Sequence, residues 1–488
     1  MTTEFTPSRA AARSLSAIAF NQIPQIVGSV LYVLLIPRTL GTEVFGQLAY
    51  ALAFIVLFQM LGELGYQEIF SRHLPEVRQH TGEPGIRALA RHLFGVKALV
   101  GLGLGLAAAL VARVLAPWLR LEQIGLMGLS VAARIVALAA FPLLLGLGET
   151  LKWSVDTTWR QLTVTLLMFA IVRTPSLTLS LLALAVHELI FLLLGLWWTR
   201  QWVMGDHEAR PATSLDLGFG IWDLIRFGFV FSLANFTLVM MFRISPIVVE
   251  KLTGSYPEVG FFDLALGGLL LLYTFLGQVA YAFVPILTEL RLEQRPAEAE
   301  VWLGRFVRYA TLIVGLGAGG MWAVARPAAP LLFGAGFEPA ANTLRAIAVG
   351  LLPLPIAWAG VTVSAVDKQP KRKVRGALLG LGVFLVGAVV LRTYAAAGIA
   401  FAFGLALIAY SAGYGQTAWR AVIAGGRGWL IALATTAFFL IFFYLSFSSL
   451  WLAFAAWVGV AVVYLLVNFA FRVVRLDELK EMARALRR

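Results

Sequence analysis

Long apolar runs separated by short polar connections organise this chain of 488 residues. An α-helix needs roughly 17–25 predominantly apolar residues to cross the hydrocarbon core of a bilayer. Runs of that kind fall at 15–37, 47–70, 93–116, 124–148, 153–172, 177–198, 224–249, 259–287, 306–325, 343–366, 377–394, 397–418, 429–447 and 450–471. A backbone surrounded by lipid must satisfy its own N–H and C=O groups, so the runs predict an all-α, polytopic membrane protein with about 14 transmembrane helices.

Composition points the same way. The chain is 60% hydrophobic and 13% charged, with a mean hydropathy of +0.84. A soluble domain carries roughly 25% charged residues, so this chain cannot cover a water-facing surface of its size. With no cysteine in the sequence, disulfides, thiol nucleophiles and cysteine-ligated metals are excluded. The first run is too long, and too polar at its centre, for a signal peptide; it reads as a retained spanning helix.

The net charge of +13 is scattered between apolar runs and forms no basic stripe, so no nucleic-acid partner is expected. Topology accounts for it. With the N-terminus inside, the even-numbered loops and both tails hold about 28 of the 39 Lys and Arg residues, the asymmetry expected of cytoplasmic segments. Both termini are therefore expected in the cytoplasm, with the chain in the cytoplasmic (plasma) membrane. No connection is long enough for a separate folded domain. Residues 472–488 read as a cytoplasmic amphipathic tail, a short interfacial helix.

The halves show a faint repeat at an offset of 214, which pairs Asn21 with Asn235, Gly46 with Gly260 and Ala51 with Ala265. Six helices separate the copies, so they share one orientation, related by an axis along the membrane normal.

The segment LIPRTLGTEVFGQLAYALAFIVLFQMLGELGYQEIFSR at 35–72 resembles the N-terminal signature of polysaccharide and O-antigen flippases of the multidrug/oligosaccharidyl-lipid/polysaccharide exporter superfamily. The residues that carry the likeness are Pro37, Arg38, Leu40, Gly41, Glu43, Phe45, Gly46, Leu64 and Gly65. Segments 258–290 and 344–376 are similar to the same family. The resemblance implies two six-helix lobes with pseudo-two-fold symmetry around a central cavity: residues 1–200 as the N-lobe and 201–420 as the C-lobe, with two extra helices at 421–471. It further implies alternating access and movement of a polyprenyl-pyrophosphate-linked oligosaccharide to the outer leaflet, without enzymatic chemistry. Polysaccharide polymerase machinery is a partner the resemblance suggests.

The polar residues set within the runs are the candidate site. Arg134 lies mid-run, where an arginine costs roughly 2.5–3.5 kcal/mol on insertion scales, and a phosphate ligand would offset that cost. The competing reading is a structural pair with a buried acid. Arg243, Arg345 and Lys97 are further basic candidates, against which stands snorkelling to the interface. Asn21, Gln25, Gly28 and Tyr32 form one helical stripe; Asn21 and Gln25, with Asn235, are assigned to substrate contact, against a reading as interhelical hydrogen bonding. Glu63, Asp263, His187 and Glu188 are candidates for ion coupling, each with a salt bridge as its alternative. No cofactor is expected. Without a P-loop, energy is expected from the membrane potential, H+ or Na+.

Three motif matches carry no function. HELIF at 187–191 lacks the second histidine of a zinc-protease motif, GLGAGG at 315–320 sits inside an apolar run, and Asn235-Phe-Thr is a glycosylation pattern at membrane depth. The alternatives within the fold are a multidrug or other small-molecule exporter and a lipid II flippase. A membrane-embedded glycosyltransferase or polymerase is more remote, because no large outer loop or pair of acids is present.

Overall fold

The computed structural model describes residues 7–204, 221–367, 369–442, 449–475 and 477–478. Among them every predicted apolar run falls on helix. The helices are α1 (Pro7–Leu61), α2 (Tyr66–Leu115), α3 (Leu121–Gly146), α4 (Thr150–Ser154), α5 (Arg160–Ile171), α6 (Leu177–Val203), α7 (Ile221–Thr253), α8 (Tyr256–Leu292), α9 (Pro296–Phe333), α10 (Ala340–Ala348), α11 (Leu354–Val366), α12 (Pro370–Val390), α13 (Ala395–Ala412), α14 (Gln416–Phe442) and α15 (Leu450–Ala470). Nine of the described helices are long and apolar enough to span a membrane, or ten counting the bent pair Ala340–Leu351 and Leu354–Val366 as one span.

The breaks follow local chemistry. α1 carries the first two predicted runs on either side of Gly41, whose φ of 74° interrupts the helix. The second run stops at Leu61 rather than at 70, because Leu64 and Gly65 adopt left-handed φ values of 52° and 64°. Between α7 and α8 stands Gly254, also left-handed at φ 66°. It lies one residue short of the repeat offset from Gly41, so both halves turn between their first two helices on a glycine.

The chain divides into two compact units, residues 24–247 and residues 248–488 with 1–23. In the first unit, the charged connection at 72–92 is helical as part of α2, with a kink at Gly82. Leu74, Val77, Ile86, Leu89, Ala90 and Leu93 from this segment are buried with Ala139, Ala140 and Leu143 of α3. That spacing is the stripe of an amphipathic helix, and its polar face explains why it looks like a loop in the sequence. α2 and α3 approach closely where Gly105 and Gly128 face each other: a Cβ on either would lie 2.7–2.8 Å from the other's carbonyl oxygen. Small residues allow such approach in a membrane helix pair.

In the second unit α9 is flanked by α14 and α15. The indole of Trp457 donates to the carbonyl of Leu316 at 3.2 Å, and the hydroxyls of Thr436 and Tyr464 are hydrogen-bonded at 2.9 Å. Beyond α15 the chain folds back so that Glu478, 5% exposed, meets α9. Arg308 Nη2 donates to both of its carboxylate oxygens at 3.0 and 3.2 Å, and Tyr309 Oη donates at 2.6 Å. The rest of the expected amphipathic tail, 479–488, lies outside the described residues.

Candidate functional site

Among the described residues, a dense group of buried charge lies in the first unit and begins at Arg134 of α3. Its guanidinium grips Asp156 at two points, Nη1 to Oδ1 at 2.5 Å and Nη2 to Oδ2 at 3.1 Å. Asp156 stands on a π-helical turn, Val155–Trp159, between α4 and α5. Such a turn inserts one residue into the helical register and re-aims the side chains around it, often at functional positions. Arg160, which follows the turn, reaches the same Asp156 oxygen at 3.5 Å and donates to Glu188 of α6. Asp156 is 7% and Glu188 1% exposed. Each carboxylate meets a guanidinium, which is what makes charge tolerable at this depth.

His187 and Glu188 are neighbours in sequence but engage different partners. The His187 Nε2 lies 3.1 Å from the Thr163 hydroxyl, and its ring stacks on Phe191 with centroids 4.7 Å apart. Lys97 of α2 is fully buried. It donates to the carbonyls of Gly62 and Glu63 at 2.5 and 2.7 Å, and its ammonium sits 4.1 Å from the centre of the Tyr66 ring. It thus caps the end of α1 at the break before α2, a role that charged-residue spacing alone does not reveal. Glu63 acts electrostatically on both Lys97 and Arg134. Ser130, one turn before Arg134, donates back to the Leu126 carbonyl at 2.8 Å, while its own carbonyl accepts from Gln59.

The remaining sequence candidates are dispersed. Gln25 is half-buried on α1, one turn before Gly28. At Gly28 a Cβ would strike the backbone of Leu162, and the Gly28 carbonyl accepts from Thr165 at 3.1 Å. This part of the stripe therefore packs against α5. Arg243 is half-buried on α7. The side chains of Asn21 and Asn235 lie outside the described residues. Asp263 on α8 and Arg345 on α10 belong to the second unit. Among the described residues no cluster of His, Asp and Glu is suited to hold a metal ion.

Sequence reasoning missed Asp156 and Arg160. A signal existed: an acid and an arginine four residues apart at the start of the run 153–172, which looks like the end of a helix at the interface and is in fact folded inward.

Among the described residues, the long apolar helices and the ion pairs buried between them define a multi-pass membrane protein. The family described as "Polysaccharide biosynthesis protein" matches residues 12–291, and the chain belongs to it, within the multidrug/oligosaccharidyl-lipid/polysaccharide exporter superfamily. By fold it is similar to the lipid II flippase MurJ in an inward closed conformation, with a TM-score of 0.69 and 13% identity, covering 94% of this chain and 98% of that one. It is also similar to an inward-facing multidrug resistance MATE family transporter, with a TM-score of 0.62 and 13% identity over 86% of this chain and 99% of that one. A MOP superfamily transporter from Pyrococcus furiosus gives a TM-score of 0.57 at 13% identity, covering 86% and 99%. No curated protein matches the chain by sequence.

Proposed function

We propose that this protein flips polyprenyl-pyrophosphate-linked oligosaccharides from the cytoplasmic to the outer leaflet of the cytoplasmic membrane, by alternating access, in the making of a cell-surface polysaccharide. The family match and the flippase and exporter folds support a lipid-linked cargo. The observation that carries the reading further is the Arg134–Asp156 pair. A guanidinium that grips a carboxylate at two points presents the same two donors that a phosphate takes. Asp156 acts as the resident counter-ion, and the cargo's phosphate takes its place on Arg134. Arg243 assists, and Gln25, Asn21 and Asn235 contact sugars. The prenyl chain stays in lipid.

Both termini face the cytoplasm in this scheme. An interior-negative potential favours outward movement of an anionic head group by roughly 2.3 kcal/mol per charge per 100 mV. Glu63, Asp263, His187 and Glu188 are the groups through which a proton or sodium ion would couple. We read the chain as a transporter without a catalytic site. A lipid II flippase is the alternative, supported by the likeness to MurJ.

Transport in proteoliposomes tests the proposal. A labelled polyprenyl-pyrophosphate oligosaccharide should become protected from an external glycosidase with the wild type and remain accessible with Arg134→Ala. Flipping by both proteins would remove Arg134 from the site. Flipping of lipid II in preference to the oligosaccharide would favour the alternative.

A further inference from the structure

The two buried arginines of the first unit's charge cluster, Arg134 and Arg160, each meet an acid. Those at one end of α9 in the second unit are not. Arg345 of α10 donates from Nε to the carbonyl of Trp322 on α9 at 3.1 Å. Its Nη2 is buried and meets no acceptor among the described residues, and the same holds for the indole Nε1 of Trp322. Arg326 follows Trp322 by one helical turn. Its positive charge acts on Arg345. Elsewhere in this unit a buried guanidinium has its acid, as Arg308 has Glu478.

A buried donor without an acceptor costs about 1–3 kcal/mol, more when it is charged. Two such donors, on residues joined by the hydrogen bond from Arg345 Nε to the Trp322 carbonyl and beside a second cation, are arranged for an anion that brings several acceptors. A phosphate group does so: its tetrahedral oxygens can take the free edge of a guanidinium, an indole N–H and a second positive charge together.

We propose that Arg345, Arg326 and Trp322 form a receptor for a phosphate oxyanion at the end of α9 next to the 334–339 connection. With cytoplasmic termini this end lies on the outer side, so the receptor holds a phosphate that has reached the outer leaflet. That its ligand is the pyrophosphate of the cargo rests on the flippase reading. A phospholipid head group offers the same chemistry.

The experiment is thermal unfolding of the full chain in neutral detergent, titrated with inorganic pyrophosphate against sodium chloride at matched ionic strength. Wild type is expected to be stabilised by pyrophosphate beyond the salt control. Arg345→Gln should weaken apparent binding about tenfold or more, the loss of a charge-assisted hydrogen bond. Arg326→Gln, at an exposed position, should weaken it less and leaves the fold untouched if Arg345→Gln does not fold. Lack of a pyrophosphate effect on wild type, or binding unchanged in both variants, overturns the receptor. Repeating the titration in phosphatidylcholine and phosphatidylglycerol nanodiscs identifies the source. Loss of the effect in either nanodisc assigns the receptor to bilayer phosphate, loss in phosphatidylglycerol alone marking an anionic head group, and persistence in both assigns it to cargo. Because this readout needs no transport, a wild type that binds through Arg345 and fails to flip oligosaccharide keeps the receptor and removes the flippase reading.

Discussion

Arg134 and Asp156 face each other through two parallel hydrogen bonds, 22 residues apart in sequence, across the space between α3 and a π-helical turn. The pair is what lets a mid-membrane arginine persist without a ligand. It also sets how the site responds to substitution, since each partner is buried on account of the other.

Asp156→Asn should therefore destabilise the protein by about 3–5 kcal/mol, the usual cost of leaving one buried charge unpaired. The double change Arg134→Met with Asp156→Leu should recover most of that loss and still fail to transport. Thermal unfolding of wild type, Arg134→Met, Asp156→Leu and the double variant in detergent gives the cycle; a double variant no more stable than Asp156→Leu alone would show that the two side chains do not depend on each other.

Lys97→Met should loosen the break between α1 and α2. The carbonyls of Gly62 and Glu63 would lose their donor, at about 1–3 kcal/mol, and amide exchange at 62–66 should quicken while that of α3 does not. Lys97→Arg should not restore it, because the site is fully closed to solvent and matched to a compact ammonium. Equal exchange in wild type and Lys97→Met would assign the break to glycine geometry alone.

At the same break, Gly65→Ala should be costly for two reasons that add. The residue is left-handed at φ 64°, worth about 1–2 kcal/mol for an L-residue, and a Cβ there would run into the backbone of Gly228 on α7. Expression and melting temperature should both fall, whereas Gly95→Ala, which meets open space, should be neutral.

Glu478→Gln should free the segment after α15. Arg308 would be left without its carboxylate, and the amide that replaces it keeps one acceptor oxygen where Arg308 and Tyr309 now use two. Limited proteolysis should then clip the chain end faster at an unchanged cleavage rate elsewhere, and Arg308→Met with Glu478→Leu should restore protection.

Much of this was legible in the sequence. The apolar runs predict helices because lipid leaves the backbone no other solution, and Arg134 stands out as the one charge in the run 128–146. The partners of Arg134 were harder to see. Asp156 and Arg160 look interfacial until a π-helical turn aims them inward, and a π-helical turn has no composition of its own. The segment at 72–92 reads as a loop because its charged face outnumbers its buried one, although Leu74, Val77, Ile86 and Leu89 keep helical spacing. Lys97 reads as a residue snorkelling from a helix end, whereas its partners are two carbonyls freed by a helix break that depends on Gly65.

The first unit's buried group has an arithmetic of its own. Lys97, Arg134 and Arg160 bring three positive charges, and Glu63, Asp156 and Glu188 bring three negative ones. With each group in its ordinary state the sum is zero, so displacement of this cluster through the electric field of the membrane does no net electrical work. In the flippase scheme proposed above, voltage would then act on the bound anion, and the empty protein would return without working against the field that drove the loaded one.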